Sequence, residues 1–150
     1  MTYTEFITDI LKKNGWPFEV LSDNGVIQTL YSTGEIELNG YIHMHERKRM
    51  VVFYTIHPKQ APTNRRHDVL EYINWANFNI FHGSFEMHPI NESLRFKTCI
   101  NIGIDPLTPD LVRQLLIGNV IAHLRYGVGL AAIIDDGASL EDACRKMENG

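Results

Sequence analysis

His43 and His45 stand two residues apart in EIELNGYIHMHE at 35–46, and alternate residues of a strand point to the same face. Two imidazoles so placed can ligate one metal ion, with His57 or His88 as candidate further ligands. Seven histidines among 150 residues make one such pair unremarkable. A metal- or small-ligand-binding role through the His43/His45 face is therefore the alternative rather than the leading reading, and no metal or cofactor is expected. Arg47-Lys48-Arg49, with Arg65-Arg66 further on, could contact phosphate or an acidic partner. A three-residue basic run at a hairpin tip is more often a solvated turn that discourages edge-to-edge pairing. For nucleophilic catalysis nothing assembles. Ser84 lacks a G-x-S-x-G context, Cys99 sits mid-strand, and HExxH, Walker and GxGxxG patterns are absent. The reading is non-enzymatic, with no catalytic residue assigned. Cys99 and Cys144 form no CxxC and read as small buried or half-buried hydrophobes without a disulfide.

Asn74, Asn77 and Asn79 fall within six residues of a helical pattern, although asparagine amides compete for backbone groups and weaken helix interiors. Such a cluster needs a structural reason. Asn74 and Asn77 are assigned to a polar network tying this helix to the sheet or to the strand that starts at Gly83.

The elements that carry these residues follow from periodicity. Thr4 to Lys13 reads as a helix, with Thr2 or Thr4 as cap and Gly15 as stop. Strands are expected at 18–22, 26–31, 35–46 and 50–56, the first two joined by an Asp23-Asn24-Gly25 turn. Within the third, Ile36, Leu38, Ile42 and Met44 share an apolar face opposite Glu35, Glu37, Tyr41, His43 and His45, which means an antiparallel sheet wet on one side. HPKQAPTNRR at 57–66 leads into a helix from about Asn64 to Phe81, with Val69, Ile73, Ala76 and Ile80 as its buried stripe. Strands at 83–88 and 93–102 follow, joined by Pro89-Ile90-Asn91-Glu92.

Thr108-Pro109-Asp110 starts a helix expected to run to about Tyr126. Its apolar residues fill three sectors rather than one stripe, so it is buried on more than one side. The surplus marks Leu116, Ile117, Val120, Ile121 and Leu124 as a partner-binding or dimer interface. Gly127-Val128-Gly129 is expected to interrupt this helix, with LAAII continuing as helix or buried coil. Ser139-Leu140-Glu141-Asp142 opens a short last helix ending at Arg145-Lys146. These elements give an α+β class: an antiparallel sheet of about five to six strands with helices on one face, in the order α-β-β-β(-β)-α-β-β-α(-α).

Composition narrows the function classes. With 14 Lys+Arg against 18 Asp+Glu, a net charge of −4 and a pI near 5.9, the chain lacks the basic footprint of a nucleic-acid binder. A 44% hydrophobic content suits one folded domain over residues 1–150, since the 57–66 stretch connects halves that could not each cover the sheet. Glu5 and Asp9 interrupt the N-terminal apolar pattern, against a signal peptide, and uncharged apolar runs such as 127–134 are too short to span a bilayer. A cytoplasmic protein without a membrane segment is expected.

One resemblance covers nearly the whole chain. Ile73-Asn74, Asn77, Gly83, Phe85-Glu86, Arg95 to Thr98, Leu107 to Pro109, Leu111, Gln114-Leu115, Asn119-Val120, Tyr126, Gly129, Gly137, Ser139, Glu141 and Ala143 form an ordered set that resembles the YbjN domain family of bacteria. The resemblance implies a fold similar to type III secretion chaperones, a homodimer, and a regulatory role of the kind labelled sensory transduction. It implies no catalytic residues. The turn at 89–92 departs from the Asp and Gly expected there. HxH and RKR lie outside the family pattern. The leading expectation is thus a chaperone-like or regulatory protein that binds another protein or peptide.

Overall fold

The computed structural model describes residues 2–21, 25–104 and 106–149. Helix α1 (Tyr3–Lys13) starts at a capping box: Thr2 Oγ1 accepts from the Glu5 N–H at 3.1 Å and Glu5 Oε2 accepts from the Thr2 N–H at 2.9 Å. It buries Ile7, Ile10 and Leu11. Strands β1 (Phe18–Leu21), β2 (Val26–Ser32), β3 (Glu37–His45) and β4 (Met50–Ile56) follow, then a 3-10 turn at Thr63–Arg65 and helix α2 (Arg66–Asn79). Strands β5 (Gly83–Met87) and β6 (Leu94–Asn101) precede helices α3 (Pro109–Asp136) and α4 (Leu140–Asn149). The sheet is antiparallel, in the order β1-β2-β3-β4-β6-β5.

Register aligns the apolar residues into rows across the sheet. Ile27, Ile42, Phe53 and Thr98 are successive cross-strand partners, and Thr29, Gly40, Thr55, Phe96 and Phe85 form the next row. Gly40 leaves room for the Phe53 ring, which a Cβ there would meet at 2.6 Å. Against this face pack two clusters. One joins α1 and the first half of α3 to the β2–β4 end, and the other joins α2, α4 and the second half of α3 to β5 and β6. The α+β class, the one-faced helical layer and the element order agree with the sequence reading.

Several boundaries differ. Gly127-Val128-Gly129 does not interrupt: α3 is one 28-residue helix. The reason is a close approach, because Gly129 lies against the Tyr72 ring and hydroxyl, and that hydroxyl donates to the Tyr126 carbonyl. A side chain at 129 would hold α2 away, so the glycine serves packing rather than a break. The helix ends instead at Gly137, whose φ of 65° lets the Ala138 N–H reach the Ala132 carbonyl at 2.9 Å. Helix α2 begins at Arg66 rather than Asn64, because residues 63–65 take the tighter 3-10 form, and it ends before Phe81. Its core residue Tyr72 was missing from the expected stripe. Ile36 precedes β3 and is exposed. Helix α4 runs past Lys146 to Asn149. Of the expected Asp23-Asn24-Gly25 turn, residues 23 and 24 lie outside the described residues. As a continuous helix, α3 has the length and composition to cross a membrane, but it packs along β4 and β6 and carries the buried polar residues Asn119 and His123.

Candidate functional site

A chain of buried polar side chains crosses the core where α3 lies on β4 and β6. Thr55, Thr98, Asn119 and His123 are all buried. Asn119 Nδ2 donates to the Phe53 carbonyl at 3.0 Å, the Phe96 carbonyl at 3.1 Å and Thr98 Oγ1 at 3.2 Å. Carbonyls only accept, so these contacts fix which end of the amide is nitrogen. Thr98 in turn donates to the Leu115 carbonyl at 2.9 Å. Asn119 Oδ1 then has to accept the Thr55 hydroxyl proton, at 2.6 Å. With its one proton spent, Thr55 Oγ1 can only accept at its 2.7 Å contact with His123 Nδ1, which makes His123 the Nδ1–H tautomer. His123 Nε2 is left as an acceptor, and His57 Nδ1 donates to it at 3.2 Å. Every proton runs one way. Burial holds the His123 imidazole down to a pKa of about 3 and the His57 imidazole down to about 4, so both rings are neutral near pH 7. Their rings stack with centroids 5.4 Å apart.

A second feature lies on the surface between α2 and α3. His82 Nε2 donates to the Gly118 carbonyl at 2.9 Å, and the Trp75 ring lies 6.4 Å from that of Tyr126. Phe78 sits between these two contacts along α2, and Ile121 between them along α3. Phe81 and Ile117 immediately precede His82 and Gly118. Phe78 is 87% exposed, Phe81 100%, Ile121 60% and Ile117 40%. Four large apolar side chains on the neighbouring segments that carry these contacts thus face water.

Against known proteins, no family model matches the chain and no curated protein matches it. Solved structures do. YbjN from E. coli superposes with a TM-score of 0.60 at 11% identity, over 84% of this chain and 92% of that one. The ExsC–ExsE complex gives a TM-score of 0.58 at 11% identity, over 83% of this chain and 93% of the matched one. The chain has a YbjN-like, type III secretion chaperone-like fold. The fold expected from the sequence is the fold observed.

Within this YbjN-like fold the residues singled out from sequence are dispersed. Leu116 and Val120, 3% and 2% exposed, are spent inside the chain's own core beside Ile10, Leu11 and Val112. Only Ile117 and Ile121 of the five reach the surface well, with Leu124 half-buried. Asn77 does tie α2 to β5: its Nδ2 donates to the Phe85 carbonyl at 3.1 Å and its Oδ1 accepts the Phe85 N–H at 2.8 Å. Asn74 is exposed and takes no part in that tie. His43 and His45 share the outer sheet face and stack 5.9 Å apart, with Tyr54 edge-on to His43. Burial first, then the charges of His45 and Arg95, lower the His43 pKa. No group of three metal-ligating side chains forms among the described residues. His57 points instead to His123, and His88 Nδ1 accepts the Ile90 and Asn91 N–H groups at 3.1 and 3.2 Å, closing the 89–92 turn. Arg49 closes the basic turn with φ at 55°, and Arg65 bonds to Asp68 and to the Ala138 carbonyl. Cys99 and Cys144 are free thiols; Cys144 is half-buried as expected, but Cys99 is exposed because it falls on the outward-facing positions of β6.

Sequence reasoning missed Thr55, His123 and the phenylalanines Phe78 and Phe81, and it noted Asn119 only within the family pattern, without a role. A signal existed for two of them: Asn119 and His123 stand four apart, on one side of a helix otherwise apolar there.

Proposed function

We propose that this protein works by binding another polypeptide without catalysing a reaction, as a regulator or chaperone-like protein of the cytoplasm that is itself a homodimer. The observation that carries the reading is the patch of Phe78, Phe81, Ile117 and Ile121. Solvent-facing aromatic rings this exposed are scarce on a protein that meets no partner, and aromatic residues are enriched where partners dock. The fold supports it. One structural neighbour is a candidate transcription regulator and the other is a complex between two proteins. The polar chain offers no nucleophile, since its hydroxyls are buried and fully engaged.

Light scattering at micromolar concentration, combined with a hydrophobic dye, tests the reading. A dimeric mass with dye bound weakly at the dimer and strongly on dilution is expected. A monomer at all concentrations that binds no dye overturns it.

A further inference from the structure

His57 ends the buried polar chain at a cavity of about 310 Å³, and its environment there is specific. Leu38, Leu124, Val128 and Ala131 line it with apolar side chains, and Gly127 adds helix backbone with no side chain of its own. The size is at the lower end of that of small-ligand pockets. His57 Nδ1 is committed to His123, and its Nε2 has no protein partner among the described residues. That nitrogen is not sealed off, since no buried side-chain nitrogen or oxygen lacks a partner, so it opens into the cavity. Because the proton order of the chain places the His57 hydrogen on Nδ1, Nε2 presents a lone pair. It asks for a donor.

The rim sets the charge of the occupant. Lys59 pairs with Asp135 at 2.6 Å and Lys146 lies 3.9 Å from Asp136, so neither cation is left over for an anion. A carboxylate has no proton to give Nε2 and is disfavoured. A neutral ligand with an apolar, flat body and one strong O–H donor fits, and the phenol hydroxyl, with a pKa near 10, is a stronger donor than an alkyl alcohol.

We propose that this cavity is a binding site for a phenol, its ring packed against Leu124, Val128 and the Gly127 backbone and its hydroxyl donating to His57 Nε2. A free phenol and a tyrosine side chain share this chemistry.

Titration of the full chain with 4-methylphenol, read by the ¹⁵N signals of the His57 ring, tests it. Saturable binding with a Kd on the order of 1 mM is expected for a ligand of this size, with the Nε2 signal moving most. 4-Methylanisole, which keeps the ring but has no donor, should bind about tenfold more weakly. Gly127→Leu and, separately, Ala131→Leu should abolish binding by filling the space. A Cβ at 127 meets only His123 Cδ2 at an ordinary 3.5 Å, and unchanged tautomers of the His57 and His123 rings in each filled variant check that the polar chain is kept. N-acetyltyrosinamide distinguishes the sources: comparable affinity identifies a tyrosine side chain, exclusion a free phenol, and both uphold the site. Equal affinity for the phenol and its methyl ether, no Nε2 shift, or unchanged binding in both filled variants overturns the proposal.

Discussion

Asn119 decides the direction of every proton in the core chain, and that makes a sharp prediction at the level of one side chain. In Asn119→Leu the Thr55 hydroxyl loses its acceptor and turns to His123 Nδ1. His123 must then carry its proton on Nε2, and His57 must offer Nδ1 as acceptor. The ¹⁵N pattern of both rings should invert, and urea denaturation should show a loss of about 1–3 kcal/mol for the lost amide bonds to the Phe53 and Phe96 carbonyls and Thr98. Unchanged tautomers would mean that the chain is not directional. The same histidines predict a pH dependence. Their folded pKa values, about 3 and about 4, lie below the roughly 6.5 of an unfolded histidine. Above pH 6.5 neither state binds the protons and the two rings contribute nothing to the slope. As pH falls below 6.5 the unfolded chain takes up protons that the folded chain refuses. Stability therefore drops by up to about 1.4 kcal/mol per pH unit for each ring, levelling off near pH 4 for His57 and pH 3 for His123. Denaturation curves of His123→Gln between pH 7 and pH 4, set beside the native chain, should show about half that slope over most of the range.

Among the elements, what was legible depended on how a residue's neighbours constrain it. Strands β3 and β6 were readable because strict alternation with one wet face leaves a single register that buries Leu38 and Ile42, or Leu94 and Phe96. The α3 continuation was not, because a glycine in a helical pattern has two meanings that look alike without the partner helix. Tyr72, on another helix, is what gives Gly129 its meaning. The two glycines can be told apart. Gly127→Ala meets no close neighbour and should gain up to about 1 kcal/mol in helix propensity, whereas Gly129→Ala drives a methyl into the Tyr72 ring and should cost about 1–3 kcal/mol. Thermal unfolding of the pair should move in opposite directions. A gain in both would mean that α2 and α3 can part at no cost. For the candidate site, Asn77 was legible because three asparagines contradict a helix locally, while Asn119 and His123 were hidden inside an apolar helix whose pattern already had an explanation.

At the scale of the whole molecule, the apolar surplus of α3 divides into two populations that the sequence alone merges. Leu116 and Val120 close the core against α1, and Ile117 and Ile121, like Phe78 and Phe81 of the neighbouring segment, face water. Glutamate substitution separates them. Leu116→Glu places a charge where 3% of the residue is exposed, so it should collapse the cooperative melting transition, and any loss of dimer there follows from unfolding. On the proposed homodimer, Ile121→Glu, 60% exposed in the single chain, should leave the melting temperature of the isolated chain within a few degrees while halving the mass seen by light scattering. Phe81→Ser should act like Ile121→Glu, since its ring touches solvent on every side and contributes little to the fold on its own. The two surface variants together should reduce dye binding below that of either alone, as the proposed shared patch requires. If Ile121→Glu and Phe81→Ser both keep the native mass, the interface lies elsewhere, and the open outer face of the sheet around Tyr41, His43 and Tyr54 becomes the surface to mutate next.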